Sequence, residues 1–260
     1  MKTRSFFALA LGIAMVSVAA PASAQLGINA EKSASKAGFA LPASGPLRIV
    51  VFRPDMQVGS QSTAGLDEPN AEWTEQARQH LASALQRNLA IKTADMVLMP
   101  EVEGDQGRVL ADYRALFRAV TGSVIQHKLF GSDRLPTKRG RFDWTLGPGV
   151  ARLGEIARGD YGLFIFTHDS YGSTGRKVLQ VLGVLMGAGF PSSGVHIGYA
   201  GLVDLKTGDL VWINADTQMG GDVRTVEGAD KRIAQLLEDF PKRGAPPAPD
   251  DAVVIKEEEE

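Results

Sequence analysis

The apolar positions of this chain change period several times. Leu47–Phe52, LRIVVF, is a β-branched run between Ser-Gly-Pro and Arg-Pro-Asp, which predicts a buried strand. Residues 56–68 carry Gly, Ser and Asp throughout and predict a loop. From Trp73 the period becomes helical: Trp73, Ala77, Leu81, Ala84, Leu85 and Leu89 share one face, with Glu75, Arg78, Gln79 and Arg87 opposite. Asn70 is placed to cap that helix, and Glu72 sits in its first turn, where the helix dipole favours it. Ala94–Val102 predicts a second strand. A second helix runs from about Val109 to Leu129, with Tyr113, Leu116, Phe117, Val120 and Val124 as its buried stripe. Gly131–Gly149 is punctuated by Pro and Gly and predicts a long loop holding two aromatic anchors, Phe142 and Trp144. Val150–Ala157 predicts a short helix. Tyr161–Thr167, YGLFIFT, is the most apolar strand and is placed at the centre of a sheet, covered on both faces. Val178–Phe190 is helix-like and Gly-rich. Tyr199–Asn214 reads as two strands joined by a Lys-Thr-Gly turn, and Val226–Phe240 as a last helix with Ile233, Leu236, Leu237 and Phe240 inward.

Strands separated by helices predict the α/β class. The expected architecture is a three-layer domain with a mixed, mostly parallel sheet, helices on both faces and a C-terminal β-hairpin. In that hairpin Gly208 fits a left-handed turn position, and Asp204 and Thr207 are placed to hydrogen-bond around the turn. Alternation assigns Val203, Leu205, Val211 and Ile213 to one face and Leu202, Leu210 and Trp212 to the other. Residues 46–241 are expected to form a single domain. Residues 25–45, rich in Ala, Ser and Gly, are expected as a linker or loosely attached arm. Residues 242–260, with several prolines and four final glutamates, are expected as a disordered acidic tail.

The first 24 residues read differently. Lys2 and Arg4 precede an uncharged apolar run from Phe6 to Val18, and Ala22-Ser23-Ala24 supplies a small-x-small cleavage signal. That is the layout of a secretory signal peptide, with an apolar core short of the roughly 20 residues a membrane span takes. The chain has no cysteine, which excludes disulfides, thiolate metal sites and a lipidated cysteine after the leader. The expected location is therefore the periplasm, as a soluble, non-lipidated protein cleaved after Ala24. The formal charge is −2, and loss of Lys2 and Arg4 makes it more negative, so no basic footprint for nucleic acid is expected. The one basic cluster, Lys138-Arg139-Gly140-Arg141, reads as a solvated loop.

Candidate chemistry is sparse. His168-Asp169-Ser170 follows the central strand, and open α/β sheets gather ligands beyond the carboxyl ends of their strands. A nucleophilic triad needs a base beside a hydroxyl and a carboxylate behind the base. Neighbours along a strand point to opposite faces, so an adjacent His-Asp-Ser is weak support for one. No histidine pair has helical metal-ligand spacing, and neither a zinc-protease motif nor an acidic calcium loop occurs. Tyr171–Lys177, YGSTGRK, fails as a phosphate loop, because Gly172 and Gly175 are too close and Val178 follows Lys177. No catalytic residue is assigned on this basis. The alternative is an exported hydrolase using His168, Asp169 and Ser170, joined by His196. No cofactor or metal is expected.

Val178–Phe190 is apolar almost all round, with small-xxx-small spacing at Gly183 and Gly187. Its three readings, in order of preference, are a core helix, a partner contact and a membrane contact. Glycine inside a helix costs about 1 kcal/mol against alanine, which asks for a compensating close contact. Leu182, Gly183, Leu185, Met186 and Gly187, with Phe142 and Trp144, are accordingly the candidate partner-binding residues.

The layout resembles the periplasmic α/β domain of the curli-secretion channel lipoproteins, the lipoprotein activators of penicillin-binding proteins, and related envelope lipoproteins. The similarity lies in LRIVVF, in DYGLFIF at Asp160–Phe166, and in GLVDLKTGDLVWIN at Gly201–Asn214, where Asp204, Thr207, Gly208 and Trp212 match the hairpin pattern. The resemblance implies a non-catalytic role as a protein-binding adaptor in envelope assembly or maintenance, with another envelope protein or a second copy as partner. It carries over no catalytic residues, and the missing cysteine departs from it.

Overall fold

The computed structural model describes residues 31–62, 64, 66–92, 95–131, 134–172, 194–249 and 253–255. In chain order its elements are β1 (Glu31–Ser35), β2 (Ile49–Val51), β3 (Asp55–Gln61), β4 (Asp67–Pro69), α1 (Ala71–Lys92), β5 (Met96–Leu98), α2 (Gly104–Val124), β6 (Trp144–Thr145), α3 (Ala151–Ala157), β7 (Tyr161–Gly172), β8 (Val195–Asp204), β9 (Asp209–Asp216), α4 (Val226–Leu236) and β10 (Val253–Ile255). A π-helical turn, Ile125–Leu129, extends α2.

The strands form one mixed sheet in the order β10-β1-β9-β8-β7-β2-β5, with β3 and β4 beside the far end of β7 and β6 beside β9. The class is α/β, but the sheet is not mostly parallel. Among the described residues only β2 with β5, β2 with β7 and β3 with β7 run parallel; the six other pairings are antiparallel. Four of these antiparallel pairings involve segments that lack a clear strand period in the sequence. Residues 56–68, expected as a loop, form the β3–β4 hairpin, because Met56 and Val58 alternate inward between polar neighbours. Residues 25–45, expected as a loose arm, contain β1, which pairs with β9 from Glu31↔Asp216 to Ser35↔Trp212. The described part of the expected disordered tail, residues 242–249 and 253–255, is tied down as well. Arg243 grips Asp95 and the Pro42 and Gly45 carbonyls, Gly38 and Phe39 bond the Ala248 backbone, and β10 pairs with β1.

β7 is twelve residues long and lies between β8 and the β2/β3 side of the sheet, central as expected but running past Thr167 to Gly172. Its side chains alternate between two buried clusters. Leu163 and Ile165 join Ile49, Val51, Leu202 and Trp212 under α1 and α4. Phe164 and Phe166 join Val50, Phe52, Val203 and Ile213 under α2 and α3. The helix faces mostly follow the apolar stripes. Asn70 Oδ1 accepts from Trp73 N at 2.9 Å, which caps α1, and Ala77, Leu81, Ala84 and Leu85 are buried. On α2 the stripe is Leu110, Phe117, Thr121 and Val124, while Leu116, expected inside, is 39% exposed.

The β8–β9 hairpin has the expected turn. Asp204 Oδ1 accepts from the Lys206 and Thr207 amides at 2.8 and 3.0 Å, and Gly208 has φ +85°. Its faces are the expected ones except at Leu210 and Val211, which change places. Leu202 pairs with Trp212 but Val203 pairs with Leu210, so Val211 is an extra residue in a β-bulge. The bulge shifts the alternation: Leu210 lies with Val203, Leu205 and Ile213, while Val211 lies with Leu202 and Trp212.

Candidate functional site

The second half of β7 alternates polar side chains where the first half alternates apolar ones. Thr167, Asp169 and Tyr171 face the α1/α4 side; His168 and Ser170 face the other. Cross-strand pairing sets His196 of β8 directly beside Asp169.

Asp169 is completely buried, and both its oxygens are filled. Oδ1 takes the His196 Nδ1 contact at 2.7 Å and an Arg232 Nη2 donation at 2.8 Å. Oδ2 accepts from Thr167 Oγ1 at 2.7 Å and from Arg232 Nη1 at 2.9 Å. Arg232, also completely buried, spends its remaining donors on Thr167 Oγ1 and on the Gly220 and Gly221 carbonyls. Burial pushes the Asp169 carboxyl up, but the His196 hydrogen bond and the Arg232 charge outweigh it and hold it below the usual carboxylate range. An ionised carboxylate only accepts, so the proton of this contact lies on His196 Nδ1. Nε2 is the other ring nitrogen of this part-exposed imidazole. Among the described residues no hydroxyl is hydrogen-bonded to it.

A second layer closes this side. Arg224 stacks over the Tyr171 ring at 3.8 Å and the Trp73 ring at 4.6 Å, and Tyr171 lies 4.9 Å from the His196 ring. Asp222 holds Arg224 through two bonds of 2.9 and 2.7 Å, and Arg224's hydrogen bonds hold the Asp222 carboxyl well below its usual range. Burial, then the nearby Asp169 and Asp222 charges, push the Tyr171 phenol up.

On the opposite face Asp67 of β4 collects the other two candidates. Ser170 Oγ donates to Asp67 Oδ1 at 2.7 Å, and His168 Nε2 lies 3.4 Å from Asp67 Oδ2. The sequence triplet is therefore split. His168 and Ser170 share a carboxylate, but it is Asp67, and Asp169 serves the other side of the sheet. The expectation that the triplet begins where the strand ends is corrected too, since all three residues lie inside β7.

Phe142 and Trp144, expected as partner contacts, are buried at 2% and 9% exposure in the cluster under α2 and α3, where Trp144 pairs with Leu210. The reason is β6: a short pairing with β9 turns the loop's aromatics inward. Leu182, Gly183, Leu185, Met186 and Gly187 lie outside the described residues. Among the described residues no three acidic or histidine side chains gather to hold a metal. No described helix is long and apolar enough to cross a membrane. A cleft of about 370 Å³ opens between β1, Trp212, Asp239, Phe240 and Lys242, and shares no residue with the β7 network.

Arg232 escaped sequence reasoning, although a signal was present. It falls between Ala229, Ile233 and Leu236 on the buried stripe of α4, and a charge on such a stripe requires a buried partner. Asp67 carried no signal, because its strand could not be read.

No protein-family model matches the chain, and no curated relative matches it. Two solved structures give the following measures of likeness. The PelC dodecamer from Paraburkholderia phytofirmans is 14% identical with a TM-score of 0.35, over 80% of this chain and 94% of that one. A lipoprotein from Neisseria meningitidis is 14% identical with a TM-score of 0.26, over 65% of this chain and 78% of that one.

Proposed function

We propose that the chain is an exported, non-catalytic envelope protein that binds another envelope protein or copies of itself. The observation that carries this reading is the closure of the Asp169 network. Its carboxylate is neutralised internally by Arg232, and the hydroxyl and imidazole nearest in sequence turn away from it. A hydrolase of the serine type needs the reverse arrangement, a base touching the nucleophile. Export to the periplasm, with cleavage after Ala24 and no lipid, rests on the leader sequence.

Binding is supported by the sheet's outer strands. Among the described residues β5 and β10 each pair on one side only, and each presents an exposed valine, Val97 at 38% and Val254 at 49%. Open strand edges are templates for adding a further strand. Leu182, Gly183, Leu185, Met186 and Gly187 are the sequence's further candidates for the contact. Cross-linking in the periplasm followed by purification tests the reading. Recovery with a partner or as a discrete oligomer is expected, and recovery as a bare monomer would sink it. A fluorophosphonate probe tests the hydrolase alternative: covalent labelling of Ser170 would replace the binding reading with an enzymatic one.

A further inference from the structure

Four arginines meet where two short parallel strands end. Arg53 is the second residue after β2 and Glu101 the third after β5, and β2 and β5 are paired neighbours. Arg78 of α1 and Arg114 and Arg118 of α2 close round this point. In open α/β sheets, ligands gather in the space beyond the carboxyl ends of parallel strands. Glu75 is shared by Arg53, at 3.7 Å, and Arg78; Glu101 pairs with Arg53; Asp55 pairs with Arg118 at 3.3 Å. These three carboxylates serve four guanidinium groups, and Arg114 has no ion pair among the described residues. Burial pulls the Arg114 guanidinium below its ordinary value; the Asp55 charge opposes that, and the Arg53 and Arg78 charges add to it.

Arg114 is short of hydrogen bonds as well. A guanidinium has five N–H donors. Nη2 of Arg114 donates to the Arg53 carbonyl at 3.1 Å, while its Nε is buried with no partner. A buried donor left unpaired carries its full desolvation cost. Arg114 and Arg118 stand four residues apart on α2, a spacing that puts like charges side by side on one helix face. Together with Arg53 and Asp55 they line a hollow of about 10 Å³ over Phe52 and Phe166, and Arg118 stacks on the Phe166 ring at 4.8 Å. That volume holds about one water-sized atom. A one-atom hollow is walled by the residue that carries the orphaned N–H, and three guanidinium groups line it.

We propose that this crevice binds a phosphate group, with one oxygen in the hollow against Arg114 and the others held by Arg53 and Arg118. A tetrahedral oxyanion offers oxygens to several guanidinium forks at once, whereas a carboxylate with one oxygen in the hollow has a single oxygen left to share. Binding supplies both things that Arg114 lacks, a counter-charge and an acceptor. It also places an anion between the like-charged neighbours on α2.

Titration of inorganic phosphate into the isotope-labelled protein, at an ionic strength held constant with sodium chloride, tests this. Saturable shifts of the Arg53, Arg114 and Arg118 signals are expected. Arg114→Gln and Arg118→Gln should each raise the apparent Kd about tenfold or more, as loss of a charge-assisted bond does. Arg139→Gln, which removes an exposed arginine outside the crevice, should leave the Kd unchanged. Circular-dichroism melting checks that each variant is folded; Arg118 is half-exposed, so Arg118→Gln carries the test if Arg114→Gln does not fold. Vesicles of phosphatidylglycerol in phosphatidylcholine identify the source of the phosphate. Co-sedimentation that inorganic phosphate competes away assigns a lipid headgroup, and phosphate binding without co-sedimentation assigns a free phosphate. Absence of saturable shifts, equal affinity for acetate, or a Kd unchanged in the folded variants overturns the proposal and leaves the hollow to water.

Discussion

Replacing Arg232 with Met isolates the buried ion pair at the centre of the Asp169 network. Methionine keeps much of the side chain's apolar length on the α4 stripe but removes all five donors. Asp169 then retains Thr167 and His196 but loses two charge-assisted bonds of 2.8 and 2.9 Å, in a site with no exposure for either original partner. Removing one member of a buried pair costs about 3–5 kcal/mol, because the remaining charge stays unpaired and dehydrated. For a domain of this size about 2–4 °C of Tm is lost per kcal/mol, so Arg232→Met should melt about 6–20 °C below the parent at pH 7. The pH dependence provides a second check. In the parent protein the Asp169 carboxyl is held below its unfolded value. Its contribution is therefore fully present above the unfolded pKa, about 3.9, and is lost as pH falls through the lower folded value. In the variant, burial is opposed only by Thr167 and His196, so Asp169 takes up a proton at higher pH and escapes part of its penalty. The deficit should shrink between pH 7 and pH 4. Urea titrations followed by tryptophan fluorescence across that range measure it. A deficit under 1 kcal/mol at pH 7, or one that grows as pH falls, would refute the account of Asp169 as an ionised, internally compensated carboxylate. Asp169→Asn combined with Arg232→Met should recover part of the loss, since no unpaired charge remains.

Gly208→Val should lower the melting temperature sharply, because φ is +85° and a Cβ there would fall 2.1 Å from the Gly147 carbonyl oxygen; an unchanged melting curve by circular dichroism would refute the turn geometry. Phe142→Ala should cost about 3–5 kcal/mol in denaturant unfolding, as a core truncation does, rather than leave stability intact and weaken only a partner contact. Gly201→Ala places a Cβ 2.8 Å from the Phe117 ring and should destabilise by about 1–3 kcal/mol through overpacking, unless that ring can move aside. Alkaline titration of phenolate absorbance should find Tyr161, Tyr171 and Tyr199 all ionising above a free phenol, chiefly through burial; three ordinary titrations would contradict their packing.

The sequence alone determined the parts governed by local periodicity. The cap at Asn70, the apolar stripe of α1, the buried run in β7 and the Asp204–Gly208 turn all rest on contacts within a few residues, so residue type and spacing suffice to place them. The α/β class follows from the same signals. Tertiary structure decided everything that depends on pairing between distant segments. β1, β4, β6 and β10 are too short or too polar to announce themselves, and each exists because a neighbouring edge was available. Those strands made the sheet mainly antiparallel and turned Phe142 and Trp144 inward. One extra residue at Val211 exchanged the expected faces of Leu210 and Val211, since side-chain alternation has a period of two, and left the rest of the hairpin as expected. The His-Asp-Ser triplet shows the same division. Alternation along β7 already set Asp169 apart from His168 and Ser170, but only the fold could supply Arg232, 63 residues away, and Asp67, 103 residues away, as the groups they bond. Hydrogen bonds between remote side chains depend on where the chain returns, and no local pattern encodes that.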